Sequence, residues 1–327
     1  APQYCCRNGS ISTIKVPGSQ SIYVEATLNN TIVPCNSSPF FTNPPAPFVY
    51  AGQTFCYNNG AVDLNGDSLA YYLVTPRTGP NPNDTVDYNE LINPLWTKYQ
   101  PVTGSTTFDP ATGDLCMTPT VVGQITVLGI LVEEYRFGTL VGSVMRDIQV
   151  NVISGTDALP TTNGINGTGI YSDTIAEGCN YTFTTNTADA DPLQCDTLIS
   201  NIGSTLMGID GATFTVSGGC PSLTRPTGTF DWTPSGGTAS NTPYIFVTRL
   251  RDNACTVNGE EYKAWSITVI EFSANFTSTA PACIGEAVNF YSQYDYTDYS
   301  YNWDFGAGAI ATLAQAPAKN PVGVTYA

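Results

Sequence analysis

The sequence repeats its own plan. Thr112-Gly113-Asp114-Leu115-Cys116-Met117-Thr118-Pro119 has a counterpart in Thr227-Gly228-Thr229-Phe230-Asp231-Trp232-Thr233-Pro234. The acidic loop Asp63-Leu64-Asn65-Gly66-Asp67-Ser68-Leu69 has a degenerate copy in Asp189-Ala190-Asp191-Pro192-Leu193. Residues 124–132 followed by Glu134 match residues 244–250 followed by Asp252, and the closing segment 148–153 matches 264–270. The offset is 126 residues at the acidic loops and 115 at the Thr-Pro pairs. A chain with one plan written twice, with loops of different length, is constrained to build two similar units.

Those units are built of strands. Ala70-Tyr71-Tyr72-Leu73-Val74 and Tyr181-Thr182-Phe183-Thr184 are short, aromatic and β-branched, and residues 124–132 are apolar at nearly every position, as in a strand buried inside a sandwich. Charged residues make up only 12%, and there are 30 Gly and 23 Pro, which suits turns and leaves little for amphipathic helices. Strands are predicted over residues 53–57, 69–74, 113–117, 124–134 and 143–153, with residues 76–112 as a long proline-rich connection. The expected fold is all-β, with tandem Ig-like β-sandwiches.

In chain order, residues 1–45 form a β segment, either the end of a preceding repeat or an extra layer of the next. Residues 46–154 form the first repeat, the Gly-, Asn- and Thr-rich residues 155–169 a linker, and residues 170–271 the second repeat. Residues 272–327 begin a third unit that stops before the closing strands of a sandwich, as expected for a fragment of something longer. Ala1 reads as a mature or excised terminus.

The formal net charge is −16, with only 11 Lys and Arg, so the chain cannot neutralise a phosphate backbone and nucleic acid is excluded as a partner. Histidine is absent, which removes Ser-His-Asp and Cys-His centres and His-ligated zinc. No phosphate-binding Gly-rich motif follows a strand. Glu133 and Glu134 are adjacent on a strand and point to opposite faces, so they cannot act as the carboxylate pair of a glycosidase. The expectation is a non-enzymatic protein. Ten cysteines without zinc-like spacing, Cys5, Cys6, Cys35, Cys56, Cys116, Cys179, Cys195, Cys220, Cys255 and Cys283, read as disulfide candidates in an oxidising, extracellular compartment.

The acidic loop sets Asp63, Asn65 and Asp67 at alternate positions, with Gly66 permitting a tight turn. Calcium takes six to eight hard oxygen ligands, so the loop needs further donors, and Glu133, Glu134 and Asp147 stand at or beside strand ends. The same residues also suit an Asx turn that caps backbone groups. A second cluster, Tyr294, Tyr296, Tyr299 and Tyr301 with Asp295 and Asp298, suits sugar stacking, a subunit contact or an ordinary strand edge. Trp232, Trp265 and Trp303 read as core.

Tyr301-Asn302-Trp303-Asp304-Phe305-Gly306, with Gly285-Glu286-Ala287-Val288-Asn289-Phe290 before it, resembles the PKD domain, an Ig-like sandwich of bacterial surface proteins. A second resemblance rests on Asp63, Asn65-Gly66-Asp67-Ser68-Leu69, Tyr72, Thr112-Gly113, Thr118-Pro119, Val132-Glu133-Glu134-Tyr135-Arg136 and Arg146-Asp147. This set is similar to repeats of the giant SprB-like surface adhesins of gliding Bacteroidetes, which carry Ig-like or cadherin-like repeats and leave by type IX secretion. The second repeat departs from it, with no counterpart of Gly66-Asp67-Ser68 and with Ala264-Trp265 near the place of Arg146-Asp147. The resemblance implies an outer-membrane-associated filament or stalk used in attachment and gliding. Its partners would be the substratum or a surface polysaccharide, neighbouring repeats, and the gliding and secretion machinery. It also implies that Glu133, Glu134 and Asp147 lie near the same edge as the Asp63 loop. Asp173-Thr174-Ile175 and Asp196-Thr197-Leu198 resemble Bacteroidetes O-glycosylation acceptors. The alternatives are a lectin-like polysaccharide-binding module and an accessory region of a secreted hydrolase.

Overall fold

The computed structural model describes residues 3–79, 81, 83–202, 211–255, 257–271, 275–279, 283–293, 301–311 and 319–326. It is an all-β chain of tandem sandwiches. Two compact units divide it, Ala1–Ile270 and Glu271–Ala327.

The first sandwich uses β1 (Ala26–Leu28), β2 (Phe48–Tyr50), β3 (Phe55–Tyr57), β4 (Ser68–Val74), β5 (Gly104–Phe108), β6 (Leu115–Pro119), β7 (Ile125–Arg136) and β8 (Thr139–Ile153). One sheet runs β3-β6-β5; the other runs β1-β8-β7-β4, with β2 parallel to the end of β8. Alternation puts Phe55, Tyr57, Leu115 and Met117 of the first sheet against Leu73, Ile130, Val132 and Val150 of the second. Cys56 stands opposite Cys116 in the β3–β6 ladder and is bonded to it. The N-terminal residues lie on this sandwich. β1 pairs with β8, and Arg7, deep under the surface, forms a two-pronged ion pair with Asp147 of β8, at 2.9 and 2.6 Å.

The second sandwich uses β9 (Thr161–Thr162), β10 (Ser172–Ala176), β11 (Tyr181–Ala188), β12 (Thr197–Ser200), β13 (Thr213–Ser217), β14 (Thr227–Trp232), β15 (Tyr244–Arg251) and β16 (Glu260–Ile270). Its sheets run β9-β11-β14-β13 and β10-β16-β15-β12, with β10 parallel to β16. From β2 to β8 and from β10 to β16 the two sandwiches match strand for strand. The core here is aromatic: Phe183, Phe230, Phe246 and Trp265 stack at centroid distances of 5.0–5.8 Å. Trp232 and Trp265 are buried, as read from the sequence.

Several expectations change. Residues 104–108, inside the predicted long connection, form β5, whose residues Gly-Ser-Thr-Thr-Phe are largely exposed and carry no apolar alternation. Residues 155–169, read as a linker, contain β9 and a 3-10 turn at Ile165–Gly167, because Thr161 and Thr162 pair with the end of β11. Of the ten cysteines, Cys5–Cys6, Cys56–Cys116 and Cys195–Cys220 are bonded, while Cys35, Cys179, Cys255 and Cys283 are free thiols. Each of these four stands on a different loop of the chain, and none has a sulfur partner among the described residues.

The two sandwiches share a seam. Tyr262 of β16 is fully buried and belongs to the core of the first sandwich, where its ring meets Tyr57 edge-on at 5.1 Å. The Ala264 amide donates to Asp114 Oδ1 at 3.2 Å. Tyr50 Oη donates to the Val257 carbonyl at 2.8 Å, and the Leu159 amide to Gln53 Oε1 at 3.1 Å.

The unit Glu271–Ala327 contains β17 (Phe276–Ser278), β18 (Ala287–Val288), β19 (Phe290–Ser292), β20 (Ala309–Ile310) and β21 (Val324–Tyr326). β17 pairs with β19, and a second sheet runs β18-β21-β20. Trp303 is half-buried and packs edge-on against Phe276 at 5.3 Å.

Candidate metal centre

The acidic loop closes on itself just before β4. Gly66 adopts φ 77°, a left-handed conformation that costs glycine nothing, and the chain turns back on Asp63. Asp63 Oδ1 accepts the amides of Asn65 and Asp67, both at 2.9 Å. Its other oxygen, Oδ2, is buried without a hydrogen-bond partner. One oxygen therefore caps the turn, as an Asx turn requires, and the other is left over.

Register brings β7 to the loop. Leu69 stands opposite Glu134, and a bulge follows between Glu134 and Tyr135. The Glu134 side chain is 0% exposed. Its Oε1 accepts from Asn36 Nδ2, and its Oε2 has no partner. Across the β7–β8 hairpin stands Gly142, where a Cβ would lie 2.3 Å from Glu134 Oε2, so any other residue would displace the carboxylate. One carboxylate oxygen each from Asp63, Asp67 and Glu134 lie within 4.8 Å of one another.

Arg136 supplies the one positive charge. Its Nε and Nη2 grip the two oxygens of Asp67 at 2.6 Å each, and Nη2 also donates to Asn36 Oδ1 at 2.7 Å. Burial is the largest single influence and works to raise Asp67, but the hydrogen bonds from Arg136, the contact with Glu134 and the charge of Arg136 together hold the carboxyl below its ordinary value. Burial, helped by the neighbouring Asp67, pushes Glu134 up to about 7, and burial raises Asp63 as well. Three carboxylates against one guanidinium leave two negative charges, which one divalent cation would balance. The two orphaned oxygens and the free lone pairs of Asp67 fit a hard cation whose remaining positions are filled by water.

Other predicted donors go elsewhere. Asn65 Oδ1 accepts the Ser37 amide at 2.8 Å. Glu133 points to the opposite face, where Tyr135 Oη donates to it at 2.6 Å. Asp147 stands opposite Gly129, well down the β7–β8 ladder from Glu134, and is taken by Arg7. Nothing near Asp147 in sequence reveals a partner 140 residues away. Sequence reasoning missed Asn36, whose position in a Pro-, Asn- and Ser-rich loop carries no signal. Arg146 donates to the Asn43 carbonyl and to Tyr57 Oη, and its guanidinium lies 4.1 Å over the Phe41 ring.

In the second repeat the Asp189–Asp191 loop closes the same way, with Asp189 Oδ1 accepting the Asp191 amide at 2.8 Å. Here the positive charge is Arg225. It reaches Asp196 Oδ2 at 2.9 Å, Asp189 Oδ2 at 3.4 Å and the carbonyls of Asp189, Asp191 and Gln194. Thr174 and Thr197 are exposed. Of the tyrosine-acid cluster, Tyr294, Asp295, Tyr296, Asp298 and Tyr299 lie outside the described residues, and Tyr301 is half-buried. A cleft of about 660 Å³ adjoins the first acidic loop, lined by Asp63, Asp67, Arg136, Phe137 and, from the second repeat, Thr242 and Tyr244. Among the described residues, no helix is long and apolar enough to cross a membrane.

No family model matches the chain, and no curated protein matches it. Among solved structures it is similar to cadherin-like domains 1 to 4 of zebrafish RET, at 13% identity and a TM-score of 0.21 over 88% of this chain. The match spans 64% of the RET structure, less than two thirds of its length. It is also similar to the EC1-3 segment of Drosophila N-cadherin, at 14% identity and a TM-score of 0.25, covering 72% of this chain and 69% of that one. The sialic acid binding region of a Streptococcus sanguinis adhesin matches at 11% identity and a TM-score of 0.25, covering 76% of this chain and 82% of that one. Likenesses of this size do not extend to what any of these proteins binds.

Proposed function

We propose that the chain is a non-enzymatic segment of an extracellular, cell-surface adhesin, a stiff run of β-sandwich repeats that carries attachment to a substratum or surface polysaccharide. The observation that carries this reading is the seam: Tyr262 of the second repeat is built into the core of the first, so load on one repeat passes directly to the next. Intra-sheet and loop disulfides suit a chain that works outside the cell. The resemblance of the Asp63–Asp147 residue set to SprB-like repeats supports a finer role in gliding motility, with delivery by type IX secretion and a PKD-like unit following the repeats. In this reading Asp63, Asp67 and Glu134 hold calcium, which ties the loop to the end of β7.

The direct test is labelling of intact source cells with antibody against the chain. Surface labelling that travels along gliding cells is expected. Labelling that appears only after permeabilisation would overturn the reading. For the metal, thermal unfolding with millimolar calcium and then with chelator should show a calcium-dependent rise in Tm that is smaller in Asp63→Asn with Glu134→Gln. An equal Tm in both conditions would remove calcium from the first repeat.

A second reading, a polysaccharide-binding module, is favoured by the cleft beside Asp63 and Asp67. Its hairpin tip carries Phe137, fully exposed at φ 49°. Retention of the chain on polysaccharide columns, lost in Phe137→Ala, would support it.

A further inference from the structure

The second repeat has an unsatisfied carboxylate pair of its own, and it is not the one its sequence advertises. The Asp189–Asp191 loop is held by Arg225. Asp196, paired with Arg225 through Oδ2, keeps one orphaned oxygen, Oδ1, and the pair left over beyond that guanidinium is Asp157, from the segment that enters the repeat, and Asp252, just past the end of β15. Asp252 occupies the place that Glu134 occupies in the first repeat: its amide donates to the Gly259 carbonyl at 3.1 Å, as Glu134 stands opposite Gly142 at the same end of the ladder with the closing strand. It is 3% exposed. Its Oδ1 accepts the amides of Ala254 and Gly259, at 3.0 and 2.8 Å, and its Oδ2 is buried with no partner. Asp157 is similar: Oδ1 accepts Gln194 Nε2 at 2.7 Å, and Oδ2 is buried with no partner. Gln194 Oε1 is a third buried oxygen without a donor.

The two orphaned oxygens are neighbours on one side of Gly259. A Cβ built on Gly259 would stand 2.2 Å from Asp252 Oδ2, 3.0 Å from Pro160 Cδ and 3.1 Å from Asp157 Oδ2. Gly259 does not adopt a left-handed backbone, so a glycine here leaves space, as Gly142 does beside Glu134. The surroundings are strongly negative. Asp157, Asp189, Asp191, Asp196 and Asp252 share the region with the guanidinium of Arg225, whose hydrogen bonds go to Asp189, Asp191, Gln194 and Asp196. Two carboxylate oxygens brought together without a donor repel each other unless a cation or a shared proton lies between them.

We propose that Asp157 Oδ2 and Asp252 Oδ2 bind a divalent cation of the calcium class, with Gln194 Oε1 as a further donor and water completing the shell. All the donors are hard oxygens, which selects calcium over zinc. The site lies on the seam. Gln53 of the first sandwich donates to the Asp157 carbonyl, and Tyr50 holds Val257 in the loop that follows Asp252. A cation here fixes the entering segment and the β15–β16 loop, the two pieces of the second repeat that clasp the first. Nothing in the site depends on what the chain adheres to.

The test is calcium binding to the intact chain by equilibrium dialysis, with calcium chloride as the probe. Asp252→Asn and Asp157→Asn should each weaken one site at least tenfold, while their Tm in chelator stays at or above that of the parent. Asp63→Asn with Glu134→Gln should leave that site intact, so loss of the first cluster and loss of this one are separable. Failure of surface labelling would leave the dialysis result standing. Unchanged calcium binding in Asp252→Asn would overturn the proposal. So would a parent chain whose only calcium is lost with Asp63 and Glu134, in which case a proton alone joins Asp157 to Asp252.

Discussion

The two repeats solve one electrostatic problem in two ways. Each buries carboxylates where its acidic loop meets the end of a long strand, and each supplies one arginine. In the first repeat Arg136 comes from the end of β7 and takes one carboxylate, Asp67, leaving Asp63 and Glu134 with orphaned oxygens. In the second, Arg225 comes from the loop before β14 and takes the acidic loop whole, carbonyls included. The uncompensated pair then moves to Asp157 and Asp252. What differs is which charges the fold satisfies internally; the excess of negative charge is common to both. An acidic motif in a sequence therefore marks the region where buried carboxylates are in surplus more reliably than it marks which of them are left unpaired.

The largest effect should come from cutting the link between the repeats. Tyr262→Ala removes a fully buried ring from the first core, and a loss of about 3–5 kcal/mol is expected by urea unfolding, with one transition becoming two. A single transition displaced by much less would mean that the repeats are not coupled through this side chain. The arginines come next. Arg225→Met strands Asp189 and Asp196, both with 0% side-chain exposure, and should cost about 3 kcal/mol. Arg136→Met should cost less, because Arg136 pairs with one carboxylate where Arg225 pairs with two, and should tighten calcium binding at the first cluster by removing a competing charge. Equal costs would show that the two arginines are equivalent after all.

Smaller effects test the glycines. Gly142→Ala and Gly259→Ala each push a Cβ against a carboxylate oxygen, and about 1–2 kcal/mol is expected from each in differential scanning calorimetry. A harmless Gly259→Ala would show that Asp252 moves freely and that the two sites are not alike. The gentlest signal is pH. Glu134 and Asp252 are both raised to about 7, chiefly by burial, so the folded chain holds protons that the unfolded chain has released. In chelator, the stability contributed by these two groups should be fully present below the ordinary carboxyl range and should be lost as pH rises through 7. Glu134→Gln and Asp252→Asn should each flatten part of that fall, and calcium should oppose it.

The plan of the fold was legible because repetition and strand alternation are local. The Thr-Pro pairs, the acidic loops and the long apolar strands fall at equivalent places in the two sandwiches. β5 escaped because its Ser and Thr residues show no buried face. The first site was half legible: Asp63, Asp67 and Glu134 come together, while Asp147 goes to Arg7 and Asn36 arrives unannounced. Asp157 was hidden in a Gly- and Thr-rich stretch that reads as a linker. Its importance depends on Asp252, which lies 95 positions later in the chain. Pairings of that range are fixed by topology, and no window of sequence contains them.

The burial of Tyr262 inside its neighbour also bears on how such an array can change over generations. A repeat lifted out alone would leave a hole beside Tyr57 in one half and a naked phenol ring on the other. Recombination that adds or deletes material here is tolerated most readily when the two sandwiches travel together. The unit of inheritance is then the pair, and an array grown from this chain should lengthen in steps of two.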